Sequence, residues 1–479
     1  MLSPEIAPFA KTGGLADVVG TLSLCLEKYG HEVSLIMPAY RAALNQRFDF
    51  EETTLQPVVA LGERLETASV LKTRLGQNIS VFLVRADRYF DRDDLYGTAE
   101  GDFLDNAERF VFFSRGALEI LRSHPVEIVH CHDWQAALAT VILKTQSSRY
   151  PKIAAAKTIL TAHNLGFQGI FPESKWPLLN LGRNYFTPQY LEFYGNINFL
   201  KGALIFADKI TTVSPSYARE IMTAEQGFGL EGVLRQRSED VKGILNGIDQ
   251  TEWNPETDPY IAERYSQDHL NGKRTCKKDL QQRLGLSVEP DTPLVGMISR
   301  LTEQKGLDLV EKIFDELMER QLQIVLLGDG ETRYESFFTS AAIRFPAKMA
   351  ARIGFDTPLA HRIEAGADIF LMPSLYEPCG LNQMFSQKYG TIPIVRAVGG
   401  LKDTVLDYDI YQRSGTGFVF EPYEPRALSE TIDKALRVYD NKRAWSALQR
   451  RAMSMDFSWD RSARAYSTLY LELLHRDPI

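Results

Sequence analysis

Twice along this chain, short apolar runs ending in polar residues alternate with segments of helical period. That rhythm restricts the chain to parallel α/β architecture. In the first half the strand-like runs are 32–38, 79–84, 126–132, 157–164 and 209–214, with helical patterns at 103–122 and 134–144 between them. In the second half they are 294–299, 323–328, 369–373, 392–398 and 417–420, separated by helical patterns such as 307–320 and 427–439. At 479 residues the chain exceeds one ordinary core, so two domains are expected. The segment 243–249, followed by the Trp253-Asn254-Pro255 break, reads as the crossing between them. This places an N-terminal Rossmann-like domain at 1–241, a C-terminal one at 242–456 and an amphipathic helix at 457–479.

Composition removes several function classes. A formal net charge of −8 argues against a general nucleic-acid binder, which carries a basic surplus. No apolar run reaches the ~18 residues of a membrane span, and no signal peptide opens the chain. Cys25, Cys131, Cys276 and Cys379 show no disulfide or CxxC spacing, which fits a reducing compartment. The default location is the cytoplasm, or a plastid for a mature plant or algal chain.

Two glycine-bearing turns carry the chemistry: Lys11-Thr12-Gly13-Gly14-Leu15 and Glu377-Pro378-Cys379-Gly380-Leu381. Each opens an amphipathic run, where backbone N–H groups can meet an anion. Together they point to two nucleotide-type folds acting on one phosphorylated ligand, with a lysine on one side and a carboxylate on the other. Arg300 and Lys305 follow a strand pattern directly, the end at which open α/β sheets bind ligands. Two fixed cations there suit a diphosphate, although a solvated loop with surface charges is an equally common explanation of such a motif. Glu377 sits ahead of a helical run and can accept from sugar hydroxyls or simply face the helix dipole. Cys379 reads as a packed side chain rather than a nucleophile.

His130-Cys131-His132-Asp133 and Thr161-Ala162-His163-Asn164 end neighbouring strand patterns. Strand alternation turns Cys131 away from its neighbours, which makes a metal site the weaker reading; Asp133 suits an N-cap. Asp91-Arg92-Asp93 lies beyond its strand and is not expected to bind metal. No GxGxxG turn of a dehydrogenase follows a strand here.

Read in order, KTGGLADV, HCHDW, TAHNLGFQG, TTVSPSYAREI, GILNGID, SRLTEQKGLDLV, AGADIFLMPSLYEPCGLNQ and YGTIPIVRAVGGLKDTV closely resemble the bacterial glycogen synthase and plant starch synthase family. The matching segments run from residue 5 to about residue 460. The resemblance implies a GT-B fold: two Rossmann-like domains facing a cleft, with a C-terminal helix crossing back to the first. It implies metal-independent, retaining transfer of glucose from a nucleotide sugar, ADP-glucose by resemblance, to the non-reducing-end 4-hydroxyl of an α-1,4-glucan. No cofactor, nucleic acid or membrane partner is implied. Arg300 and Lys305 would hold the donor diphosphate, supported by Lys11 and the backbone of Gly13 and Gly14, with Cys379, Gly380 and Leu381 also beside the donor. Glu377 would bind the glucosyl hydroxyls, and the backbone carbonyl of His163 would lie near the anomeric carbon. Glu5, Asp17, Tyr96, Asp133, Asn164 and Asn246 match positions lining the sugar and acceptor cleft. The rival readings are a non-catalytic glucan-binding homologue and a GT-B glucosyltransferase with another acceptor.

Two departures stand out. Related retaining GT-B enzymes often carry a second Glu eight residues after the first; here that position is Phe385, so ribose contacts must come from elsewhere. Family members also begin with a strand before the Ser3-Pro4-Glu5 segment, and none is visible here. The start is therefore expected to be truncated or under-called by ~6–8 strand residues, leaving helix 16–26, with Val19, Leu22 and Leu26 on one stripe, short of its platform.

Overall fold

In the computed structural model, which describes residues 1–46, 48–98 and 100–475, the chain forms two compact units. One comprises Met1–Asn246 with Trp459–Ile479, the other Gly247–Ser458. The observed crossings thus fall at Asn246 and Ser458, a few residues from the sequence expectation.

The first unit is built on a mostly parallel sheet. Ser34–Pro38 pairs with Ile79–Arg85, and on the far side Ile128–His132, Lys157–Ala162, Lys209–Thr212 and Val241–Gly243 pair in that order. The slot expected to be empty is filled by the first three residues. Leu2 makes parallel bridges to both Ile36 and Cys131. Its N–H donates to His130 O at 2.8 Å and its carbonyl accepts from His132 N at 3.0 Å, while Ser3 N donates to Ile36 O at 3.1 Å. Ile36 N in turn donates to Met1 O at 2.9 Å, so backbone groups of this segment find partners on both flanks. Helix Gly14–Lys28 accordingly keeps its platform: Val19, Leu22 and Leu26 are fully buried. Its Val18–Leu22–Leu26 stripe packs with Trp459, Ala463, Tyr466 and Leu469 of the final helix, Trp459–Leu473.

An antiparallel extension of this sheet, Ser69–Leu75 and Glu51–Glu52, and a separate hairpin, Val58–Leu61 with Arg64–Thr67, lie outside the sequence expectation. Their charged, half-exposed strands lack the continuous apolar runs that mark buried parallel strands.

The second unit holds a six-stranded all-parallel sheet. Its order is Met349–Ile353, Gln323–Gly328, Leu294–Ile298, Ile369–Met372, Ile392–Arg396 and Phe418–Phe420. Helix Leu307–Glu319 buries Leu309, Val310, Ile313, Phe314 and Leu317 on one stripe, each contributing roughly 1.5–3 kcal/mol. The order inverts between Leu294–Ile298 and Ile369–Met372, and such a switch point aims the loops after those two strands at a common place. Arg300 and Lys305 lie in one of those loops, Glu377 in the other.

Candidate functional site

In the Gly247–Ser458 unit the two loops are bonded to each other. Leu375 N donates to Gln304 O at 2.9 Å, and Gln304 Nε2 donates to Tyr376 O at 3.3 Å. Gly306 takes a φ of +70°, and a Cβ there would fall 2.0 Å from Pro373 O, so only glycine permits this approach. The result is an ion pair between two predicted site residues: Lys305 Nζ lies 2.7 Å from Glu377 Oε2, with Ser374 Oγ donating to the same oxygen at 3.0 Å. The lysine side chain is 18% exposed and the glutamate 8%, so the pair is little screened by solvent. Glu377 is therefore a partner of Lys305, not a dipole partner of helix Asn382–Lys388, which is only two turns long. Arg300 is exposed, in the same loop as Lys305.

The Glu377 loop is held from behind by residues that sequence reasoning did not single out. Gly399 has a φ of +42°, and a Cβ on it would sit 1.9 Å from Glu377 O. Gly400 N donates to both Glu377 O and Pro378 O at 3.2 Å. The signal was available, since both glycines lie in the VGGLKD segment that carries the family resemblance. Cys379 is buried, and its carbonyl and that of Gly380 accept from Gln383 Nε2 at 3.0 Å; Leu381 precedes the helix as its N-cap. Phe385, at the place of a second carboxylate, stacks on Trp253 with ring centroids 4.0 Å apart and 12° between planes. A carboxylate at this position would forgo that stack.

In the other unit the KTGGL turn is organised by Glu5, which is buried. Its Oε2 accepts from Thr12 N at 2.5 Å and Gly13 N at 3.3 Å, and its Oε1 accepts from Thr12 Oγ1 at 2.6 Å and Tyr96 Oη at 2.7 Å. The N–H groups of Thr12 and Gly13, expected to await an anion, already have one. Glu5 and Tyr96 are thus brought together beneath the loop rather than spread along a surface. Lys11 Nζ pairs with Asp17 at 2.7 Å, with 52% and 37% of the two side chains exposed.

Asp133 does not cap its helix. It takes a φ of +56°, and its Oδ1 accepts from His163 N at 2.7 Å, fixing the turn at the end of the neighbouring strand. Loss of solvent pushes its carboxyl up to about 7, with Glu5 adding to the rise. His163 Nε2 lies 3.0 Å from His132 Nδ1, and burial drives the His163 ring down to about 3, leaving it neutral. His130 bonds Tyr470 Oη at 2.7 Å and Thr161 Oγ1 at 2.6 Å. Cys131 faces the other way, towards Thr140, as alternation requires. No group of three or more potential metal ligands occurs among the described residues, and Asp91 and Asp93 are both engaged by Arg41 at 2.6 Å. Asn164 Oδ1 accepts from Gly166 N at 2.9 Å, closing the turn after His163. Asn246 is buried with its Oδ1 unpartnered; among the described residues no hydrogen bond joins its side chain to the other predicted residues.

Among the described residues no helix is long and apolar enough to cross a membrane. The chain matches the starch synthase catalytic domain family over residues 1–236 and the group 1 glycosyl transferases over residues 281–451. It is 49% identical to a glycogen synthase of an Anaeromyxobacter species, covering 98% of each chain. It is 45% identical to glycogen synthase 2 of Geobacter sulfurreducens, over 98% of this chain and 97% of that one. Among solved structures, the catalytic domain of starch synthase IV from Arabidopsis thaliana, bound to ADP and acarbose, superposes with a TM-score of 0.90 at 34% identity and 99% coverage of both chains. Sucrose-phosphate synthase from Thermosynechococcus elongatus, at 17% identity and a TM-score of 0.62, shares the fold. The two-domain fold with parallel sheets is GT-B, and the chain belongs to the glycogen synthase family of glycosyltransferases.

Proposed function

We propose that this chain transfers glucose from a nucleoside diphosphate glucose, ADP-glucose in the first instance, to the non-reducing-end 4-hydroxyl of an α-1,4-glucan with retention of configuration. The observation that carries the reading is the Lys305–Glu377 pair, with Arg300 earlier in the loop that carries Lys305. A donor diphosphate offers Lys305 a stronger, doubly charged partner, and Glu377 is then released to accept hydrogen bonds from the glucosyl hydroxyls. As the glycosidic bond opens, negative charge grows on the departing phosphate beside Arg300 and Lys305, and preorganised cations act most strongly on charge that develops in the transition state. The ring meanwhile acquires oxocarbenium character. Among the described residues no carboxylate besides Glu377 is bonded at this pair, and attack on the face from which the nucleotide leaves is the preferred course.

The relative bound to ADP and acarbose supports an adenine nucleotide and a glucan as ligands, and the bacterial relatives make the cytoplasm the expected compartment. The test is incorporation of labelled glucose into glycogen with ADP-glucose and UDP-glucose in parallel. Faster incorporation from ADP-glucose, all of it releasable by an α-1,4-specific hydrolase, is the expected result. Binding of glucan without incorporation from either donor would favour the non-catalytic reading.

A further inference from the structure

Arg300, Lys305 and Glu377 follow the C-terminal ends of strands in the Gly247–Ser458 sheet. A second group of cations gathers at the opposite end. Residues 405–417 lead into the start of edge strand Phe418–Phe420, with Tyr408 N bonded to Gly417 O at 2.8 Å. Helix Pro425–Asp440 packs back along that strand, so helix Lys442–Met453 begins near the same end. Between these segments lies a cavity of about 280 Å³ lined by Tyr408, Arg413, Asn441, Arg443 and Arg451 together with two alanines.

Three guanidinium groups on one small cavity repel one another unless a counter-charge is present. The neighbouring carboxylates do not supply it. Asp409 is turned to the N–H groups of Tyr411 and Gln412, at 2.7 and 2.9 Å, and Asp407 pairs with Lys434 at 2.9 Å. Among the described residues no ion pair involves Arg413, Arg443 or Arg451. Arg451 Nε donates to Gly415 O at 3.1 Å, while its Nη2 is shut off from solvent without a partner, a costly state for a charged donor. Arg413 adopts a φ of +52°, a left-handed conformation that is unfavourable for a non-glycine residue. The start of helix Lys442–Met453, capped by Asn441 through Ala444 N at 3.1 Å, adds further positive potential. This concentration of unpaired positive charge occurs in a chain whose net charge is −8.

We propose that this cavity is an anion site for a phosphate dianion, either the free ion or the phosphate of a small phosphomonoester, separate from the donor-phosphate site. Guanidinium groups bond phosphate oxygens in pairs, and the cavity has room for a phosphate with a small substituent. Bound there, the anion ties the 407–416 segment to helix Lys442–Met453 and stabilises this unit by linkage.

The test titrates inorganic phosphate into the full-length protein at constant ionic strength and follows Tm, with sodium chloride as control and a hexose phosphate as a parallel arm. The expected result is a saturable rise in Tm with phosphate and none with chloride, with an apparent Kd at least about ten-fold weaker in the Arg413→Gln/Arg443→Gln double variant and unchanged in Lys305→Ala. Both substituted arginines are exposed, so the double variant is expected to fold. Retention of the effect with hexose phosphate assigns the ester as a ligand; its loss assigns the free ion. An equal response to chloride, an equal response from the double variant, or abolition by Lys305→Ala would each overturn the proposal.

Discussion

The two glycine-bearing turns look alike in sequence, yet the structure holds them in opposite ways. The KTGGL turn is anchored from below by one buried carboxylate, Glu5, which accepts four hydrogen bonds and leaves the loop little freedom. The Glu377 turn is anchored through its backbone by Gly399 and Gly400, and its carboxylate is committed to a single cation, Lys305. A glutamate bonded to backbone N–H groups sets a shape. A glutamate paired with a lysine can exchange partners when a diphosphate arrives. We propose on this basis that Glu5 positions its loop and that Glu377 and Lys305 take part in the transfer step.

The largest effects should come from the cations of the Glu377 region. Arg300→Ala and Lys305→Ala are each expected to lower kcat by about 10²–10³-fold, the loss typical of a group that stabilises transition-state charge. Steady-state transfer assays check this, and added Mg²⁺ should restore neither variant. Recovery with a divalent ion would move the leaving-group charge onto a metal.

Glu5→Ala should act chiefly on stability. It leaves Thr12 N and Gly13 N without their acceptor, at a cost of about 2–3 kcal/mol, measured by urea unfolding. Glu5→Ala with wild-type stability and abolished turnover would transfer Glu5 to the catalytic side.

A smaller, pH-dependent effect is expected at Asp133. Its folded-state value of about 7 lies above the ordinary aspartate value of 3.8, so between roughly pH 4 and 7 the native state holds a proton that the unfolded state has released. Stability from this group is present below pH 4 and declines as pH rises towards 7. Asp133→Asn, which keeps an acceptor for His163 N, should therefore raise Tm at pH 7.5 relative to wild type, by an amount corresponding to about 1–3 kcal/mol, and change it little at pH 4.5. A Tm gain independent of pH would show that the carboxyl is ionised throughout.

The smallest effect belongs to the exposed Lys11–Asp17 pair. Asp17→Asn should change stability by less than about 1 kcal/mol, so any large loss of transfer activity in this variant reports contact with ligand.

Much of this arrangement was legible in the sequence because it is local. Parallel strands such as Gln323–Gly328 are continuous apolar runs, and the loops after them carry Arg300, Lys305 and Glu377 within a few residues of a recognisable strand end. What was not legible depends on separation. Glu5 meets Tyr96 across 91 residues and Lys305 meets Glu377 across 72, and no periodicity encodes either meeting. Leu2 escaped notice because three residues are too few to show alternation; their strand character comes wholly from Ile36 and Cys131 on the two flanks. Asp133 has the residue type of an N-cap, but its left-handed backbone turns the carboxylate towards His163 instead.

The most direct test of the division between shape and chemistry is to measure donor affinity and turnover separately in Glu377→Gln. Equilibrium binding of ADP-glucose and single-turnover transfer to glycogen give the two quantities. If Glu377 acts on the glucosyl ring as it flattens, donor Kd should change by no more than a few-fold while the transfer step slows by about 10²-fold or more, since interactions made more strongly in the transition state appear in turnover. Wild-type transfer with weakened donor binding would contradict the account and make Glu377 a holder of the ground state alone.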